Sequence, residues 1–244
     1  MPTLLLVRHG RTTANTAGVL AGWSEGVRLD EHGERQAAAL AGRLQPLPLA
    51  AVVTSPLERC RQTAEALRAL DGPDGARPPA LVDERLGEVR YGDWTGRELK
   101  ALAKEPLWRT VQAHPSAAVF PGPGGEGLAA MQHRAVAAVR EHDARVAAEH
   151  GEDAVWVAVT HGDVIKALLA DALGMHLDLF QRLSADPCSV SVVRYAPLRP
   201  FVLRTNDSGG DLAGFAPRRR KRRRAAGARP LASSDAVVGG ATGT

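Results

Sequence analysis

Short, wholly apolar runs alternate with longer amphipathic ones through the first 205 residues. Leu4-Leu5-Leu6-Val7, residues 50–54 and residues 155–160 are continuous or near-continuous apolar runs, the pattern of strands buried on both faces of a sheet. Ala80-Leu81-Val82 adds a further short strand, and residues 189–195 and 201–204 predict the last two. The stretches between them read as helices. Asp30 can cap a helix running to about Leu44, with Ala38, Ala41 and Leu44 among its apolar positions. Pro56 suits the first turn of a helix through Leu70, followed by a turn-rich connection over 72–79. Residues 98–111 predict a helix broken near Pro106, residues 128–150 a long amphipathic helix, and residues 164–173 another helix. Residues 10–28, 83–96 and 120–127 read as irregular loops. Strands alternating with helices predict an α/β fold, a three-layer α/β/α sandwich around a mostly parallel sheet. In such sheets ligands bind beyond the carboxyl ends of the strands.

Charge changes this picture only at one end of the chain. The net charge of the 244 residues is +4, but eight of the 31 basic and three of the 27 acidic residues lie in 206–244. The body, residues 1–205, is therefore nearly neutral and reads as one domain. Arg218 to Arg224 contains seven consecutive basic residues, so 206–244 reads as a flexible, solvated Arg-rich tail. Electrostatic contact with nucleic acid is the alternative for that tail, without base stacking, because no aromatic residue interrupts the run. Cys60 and Cys188 are too few for a disulfide framework. A small packed side chain is the expectation for Cys60, although its arginine neighbours would also suit a reactive thiol. No apolar run has the length to span a bilayer and no secretory leader is evident, so a cytoplasmic protein is expected.

The candidate chemistry lies where strands end. The first strand leads into Arg8-His9-Gly10, and the run 155–160 leads into His161-Gly162. Each turn puts an imidazole at the carboxyl end of a buried strand, before a glycine that lets the chain bend. The segment after residues 50–54, beginning Ser55-Pro56-Leu57-Glu58, carries Arg59 early in its helix. Arg61 is expected on the solvated face. Arg8, Arg59, His9 and His161 gathered in one hollow would repel one another unless an anion joined them. A compact dianion such as phosphate fits, because a guanidinium grips it with two parallel hydrogen bonds. One such contact at about 4 Å is worth about 4 kcal/mol per unit charge at an effective dielectric of 20. A departing alkoxide needs a proton, and a carboxyl group beside phosphate has its pKa raised by like charge. Glu88 is the candidate for that proton, with Asp83, Glu84 and Asp93 as alternatives that read more simply as surface carboxylates or arginine partners.

The string Leu6-Val7-Arg8-His9-Gly10-Arg11-Thr12 followed by Asn15 resembles the signature of the histidine phosphatase superfamily, in its phosphoglycerate mutase-like branch. The segment from Gly22 to Gly33 with Gln36-Ala37 is similar to the family pattern. So are Ser55 to Ala64, Leu86-Gly87-Glu88 with Tyr91-Gly92 and Gly96, Gly125-Glu126, and Val159-Thr160-His161-Gly162, all in the family's order over residues 3–205. The resemblance implies a phosphoglycerate mutase-like fold in which His9 becomes phosphorylated. Arg8, Arg59 and His161 would hold the phosphoryl oxygens, Glu88 would protonate the leaving group, and Asn15, Gly22 and the Gly162 backbone N–H would make further phosphate contacts. It implies a small phosphorylated metabolite as substrate, no cofactor and no metal, and it allows a homodimer.

Two departures stand out. Arg11 replaces an acidic residue found in many members, and Gly127 replaces a serine expected to cap the following helix. The chain between Glu88 and His161 lacks the basic, proline-rich insertion that phosphoglycerate mutases place around their substrate. A phosphatase is thus the expectation and a mutase the alternative, the more so as the chain also resembles a subgroup often labelled as phosphomutases. A non-catalytic domain with a nucleic-acid-binding tail is the third reading, and the presence of both histidines, both arginines and Glu88 speaks against it.

Overall fold

The computed structural model describes residues 1–68 and 78–210. Strand β1 (Thr3–Arg8) leads through a short helix α1 (Thr13–Ala17) to α2 (Glu31–Leu44), and β2 (Leu49–Thr54) leads to α3 (Glu58–Leu67). After β3 (Ala80–Val82) come two single-turn 3₁₀ segments, Glu84–Leu86 and Gly92–Trp94. The helices α4 (Leu99–Leu102), α5 (Pro106–Ala113) and α6 (Leu128–His150) follow. Then β4 (Val155–Thr160) runs into α7 (Gly162–Ala172), and β5 (Val190–Tyr195) and β6 (Pro200–Asp207) form a closing hairpin.

The sheet order is β3-β2-β4-β1-β5-β6. The first four strands in that order are mutually parallel, whereas β5 and β6 are antiparallel additions. Side chains alternate along each central strand, and both faces are covered. Leu4 and Leu6 of β1 pack with Ala158 of β4 and with α6 and α7, while Leu5 and Val7 pack with Val157, Val159, α2 and α3. This two-sided burial explains why the central strands lack polar alternation, and it defines the three layers. In register, Arg8 lies beside Thr160, and Thr54 beside Val159. The carboxyl ends of β2, β4 and β1 therefore line up at one edge of the sheet, which positions the site.

Several boundaries move from the sequence-based expectation. The loop expected over 10–28 contains α1, whose N-cap Thr12 and Asn15 form a reciprocal capping box. Pro56 precedes its helix instead of opening it, because α3 begins at Glu58 after N-cap Leu57. The last strand continues to Asp207, past the expected body boundary at 205. Asn206 adopts a left-handed backbone (φ 51°), its side chain accepting from the Asp186 N–H and donating to the Asp186 carboxylate, and Arg43 pairs with Asp207 at 2.6 Å. Asp30 caps α2 as expected, and Gly127 leaves α6 without a side-chain cap. The end of the helix expected through Leu70, most of the 72–79 connection and the Arg218 to Arg224 run lie outside the described residues. No helix among the described residues is long and apolar enough to cross a membrane.

Candidate active site

The two histidine turns and the start of α3 meet at the aligned strand ends. The ring centroids of His9 and His161 lie 5.3 Å apart with the rings tilted by 61°. Arg59 reaches between them. Its Nε lies 3.3 Å from His9 Nε2, and its Nη2 lies 3.2 Å from His161 Nδ1 and donates to the Gly22 carbonyl at 2.8 Å. Buried Arg59 Nη1 has no hydrogen-bond partner among the described residues, and an unpaired buried donor of this kind is costly unless a ligand accepts from it. Arg8 is fully buried at the end of β1 and donates to the Ala185 carbonyl at 2.7 Å.

Hydrogen bonding fixes the histidine tautomers. His9 Nδ1 lies 2.8 Å from the Gly10 carbonyl oxygen, which can only accept, so Nδ1 carries the proton and Nε2 presents its lone pair. Gly10 itself must be glycine, because a Cβ there would sit 2.6 Å from the Gly33 carbonyl oxygen. At His161 the roles reverse. Arg59 can only donate to Nδ1, so Nε2 bears the proton and donates to Ser55 Oγ at 2.8 Å. Burial, then the Arg59 and Arg8 guanidiniums, hold the His9 imidazole well below its ordinary pKa, leaving it neutral. Burial and Arg59, with His9 and Arg8 behind them, do the same to His161.

Glu88 occupies the loop between the two 3₁₀ segments and is buried. Burial, then the nearby Asp163 carboxylate, push its carboxyl up to about 7, against the Val89 N–H, Arg59 and Arg8 acting the other way. The loop is held from outside. Arg134 of α6 donates to the carbonyls of Arg85, Gly87 and Glu88 and forms a two-pronged ion pair with Glu126 at 2.6 and 2.8 Å. Trp23 Nε1 donates to the same Glu88 carbonyl at 2.6 Å, and Thr160 Oγ holds the Leu86 carbonyl at 2.5 Å.

All five side chains expected in the hollow, Arg8, His9, Arg59, Glu88 and His161, are buried in one neighbourhood. Gly22 enters differently from the expectation, since its carbonyl accepts from Arg59 and thereby orients the guanidinium. Asn15 Oδ1 accepts from the Thr12 N–H and Thr12 Oγ, so its oxygen serves the α1 cap. Gly162 opens α7, where backbone N–H groups and the helix dipole favour an anion. Arg11 turns to Asp30 at 2.8 Å, and Arg61 is exposed. Asp83 is engaged by Arg85 and His142, and Asp93 and Glu84 are not buried. Burial raises the Cys60 thiol to about 12, which leaves it an unreactive packed group beside His161. Sequence reasoning missed Arg134, Asp163 and Lys166. Arg134 sits at a polar position of an amphipathic helix, and nothing in the spacing distinguishes it from a solvent-facing charge. No group of three or more His, Cys, Asp or Glu among the described residues could hold a metal ion.

Residues 4–208 match the family model of the histidine phosphatase superfamily, branch 1, and the chain belongs to that family. It is 32% identical over 196 residues to a protein of Erwinia tasmaniensis named "Probable phosphoglycerate mutase GpmB", covering 79% of this chain and 85% of that protein. It is 29% identical over 209 residues to phosphoserine phosphatase 1 of Hydrogenobacter thermophilus, covering 84% and 92%. The structure of a mycobacterial glucosyl-3-phosphoglycerate phosphatase complexed with VO3 superposes with a TM-score of 0.72 at 25% identity, covering 84% of this chain and 99% of that one. The fold is thus the expected α/β architecture, and the chain falls in the phosphatase and mutase class of enzymes.

Proposed function

We propose that the protein is a metal-independent phosphatase that hydrolyses a small phosphomonoester through a phosphohistidine on His9. One observation carries the reading: the His9 Nδ1–H is committed to Gly10, so the Nε2 lone pair faces a buried guanidinium with a donor to spare. In the first step Nε2 attacks phosphorus and the ester P–O bond breaks. The leaving oxygen takes the Glu88 proton, while Arg8, Arg59 and the Gly162 N–H hold the equatorial oxygens. In the second step the Glu88 carboxylate takes a proton from water, whose oxygen attacks phosphorus. The P–N bond breaks, releasing phosphate and returning both groups to their starting states. The Arg8 and Arg59 guanidiniums would supply the positive charge that a metal supplies in other phosphoryl-transfer sites.

Glu88 must be protonated for the first step, so turnover of an alkyl phosphomonoester should fall as pH rises past about 7. The likeness to the Erwinia protein favours a second reading, a mutase in which phospho-His9 returns its phosphoryl group to another hydroxyl of the substrate. Acid-quenched single turnovers with ³²P-labelled phosphomonoesters test the shared intermediate. The expected result is an acid-labile protein label, insensitive to EDTA and missing in His9→Ala. Label that survives in His9→Ala, or that needs a divalent metal, would sink the mechanism. Scoring the same panel for free phosphate against isomerised product separates phosphatase from mutase.

A further inference from the structure

Behind Glu88 lies a charged cluster that the phosphoryl chemistry leaves unused. Asp163 and Lys166, one turn apart on α7, are almost fully buried and pair at 2.7 Å. Tyr91 donates its hydroxyl to the other Asp163 oxygen at 2.8 Å. The Lys166 ammonium also donates to Gln181 Oε1 at 2.7 Å and sits 4.7 Å above the Phe180 ring. A buried ion pair is a poor source of stability, because desolvating both charges offsets most of their attraction. The placement of this pair suggests another use. Asp163 lies two residues after His161, and Tyr91 three residues after Glu88, so their bond joins the two turns that carry those groups.

We propose that Asp163 is a positioning residue for Glu88: through Tyr91 it ties the Glu88 loop to the His161 turn and places a like charge beside the acid. This rests on the reading of Glu88 as the acid. The groups facing Glu88 divide by sign. Arg8 at the end of β1, Arg59 on α3 and the adjacent Val89 N–H favour its carboxylate, whereas Asp163 on α7 opposes it. With the two arginines acting alone, charge would pull the proton off the acid. Burial is the largest influence holding the proton on, and Asp163 adds a like charge to it inside the low-dielectric site. Lys166 supplies the counter-charge and Tyr91 the hydrogen bond that balance the Asp163 carboxylate. Burial and the same two carboxylates drive the Tyr91 phenol well above its ordinary pKa, so it remains a donor across the working range.

The test is a ¹³C NMR titration of the whole protein labelled at glutamate carboxyls, with the Glu88 resonance assigned by its loss in Glu88→Gln. In the wild-type protein Glu88 should titrate near neutrality, and in Asp163→Asn its midpoint should fall by about one pH unit. Because Asp163→Asn leaves the Lys166 ammonium buried opposite an amide, a second variant combines it with Lys166→Met and replaces the pair by neutral groups of similar volume. That double variant should fold with near wild-type thermal stability and show a drop in the same direction. A wild-type Glu88 titrating near the ordinary 4.5 overturns both the acid role and the inference. A neutral-range midpoint that stays in place in either folded variant overturns the inference alone.

Discussion

His9 and His161 end neighbouring parallel strands, each followed by a glycine, yet they turn different ring nitrogens toward Arg59. At His9 the outer partner is a carbonyl, which fixes the proton on Nδ1 and frees Nε2. At His161 the outer partner is Ser55 Oγ, which accepts from the Nε2–H and leaves Nδ1 to the guanidinium. The local sequences are nearly alike, so the difference comes from what lies behind each ring. One imidazole is set up with a lone pair held in place by its own turn. The other is held by a hydroxyl from a third strand end and has both ring nitrogens engaged.

Alanine at each position breaks the comparison most severely. His9→Ala should lose at least about 10⁴-fold in kcat, because the proposed phosphoryl acceptor is gone. His161→Ala should lose about 10²- to 10³-fold, the scale of one charge-stabilising contact, because the Arg59 guanidinium loses the Nδ1 that orients it, and should still form the protein label. Equal losses, or a label missing from both, would mean that the two rings share one role. Ser55→Ala sharpens the contrast at smaller scale. It removes the acceptor of the His161 Nε2–H, which helps to orient the ring, and should cost about tenfold in activity, with His9 labelling intact. An unchanged rate would show that Arg59 alone orients the ring.

The smallest effect is on stability. Both rings are held neutral in the folded state, with pKa values below the ordinary 6.5. Below pH 6.5 the unfolded chain therefore binds more protons than the folded one, and stability falls as pH falls. Each histidine contributes a slope of at most about 1.4 kcal/mol per pH unit. Urea unfolding between pH 7 and 5 should show a shallower decline in the His9→Ala/His161→Ala variant than in the parent. Parallel declines would indicate that neither ring is desolvated as described.

Much of this was legible in the sequence because it follows from backbone topology. Apolar runs mark β1, β2 and β4, parallel pairing aligns their ends, and whatever follows each run converges. Arg8, His9, Arg59 and His161 come together for that reason. Glu88 was legible only through its chemistry and the family pattern, since its loop has no periodicity. The supports of the site were not legible. Asp163 and Lys166 lie on α7 among buried apolar residues, and charges three residues apart on a helix ordinarily form an exposed pair. Nor could the pattern show that Asn15 would turn its oxygen to Thr12, because capping competes locally with any contact to a distant ligand.

The grip of Arg134 on the carbonyls of Arg85, Gly87 and Glu88 has a consequence for selectivity. With Trp23 and Thr160 adding their own bonds to the same short loop, and the Val89 N–H bonded to the Glu88 carboxyl, the proposed acid is held where it stands and does not travel to meet a misplaced oxygen. Molecules that dock with their bridging oxygen beyond that reach would be held by the arginines and yet turned over slowly. Discrimination at this site would then show itself in turnover more than in affinity.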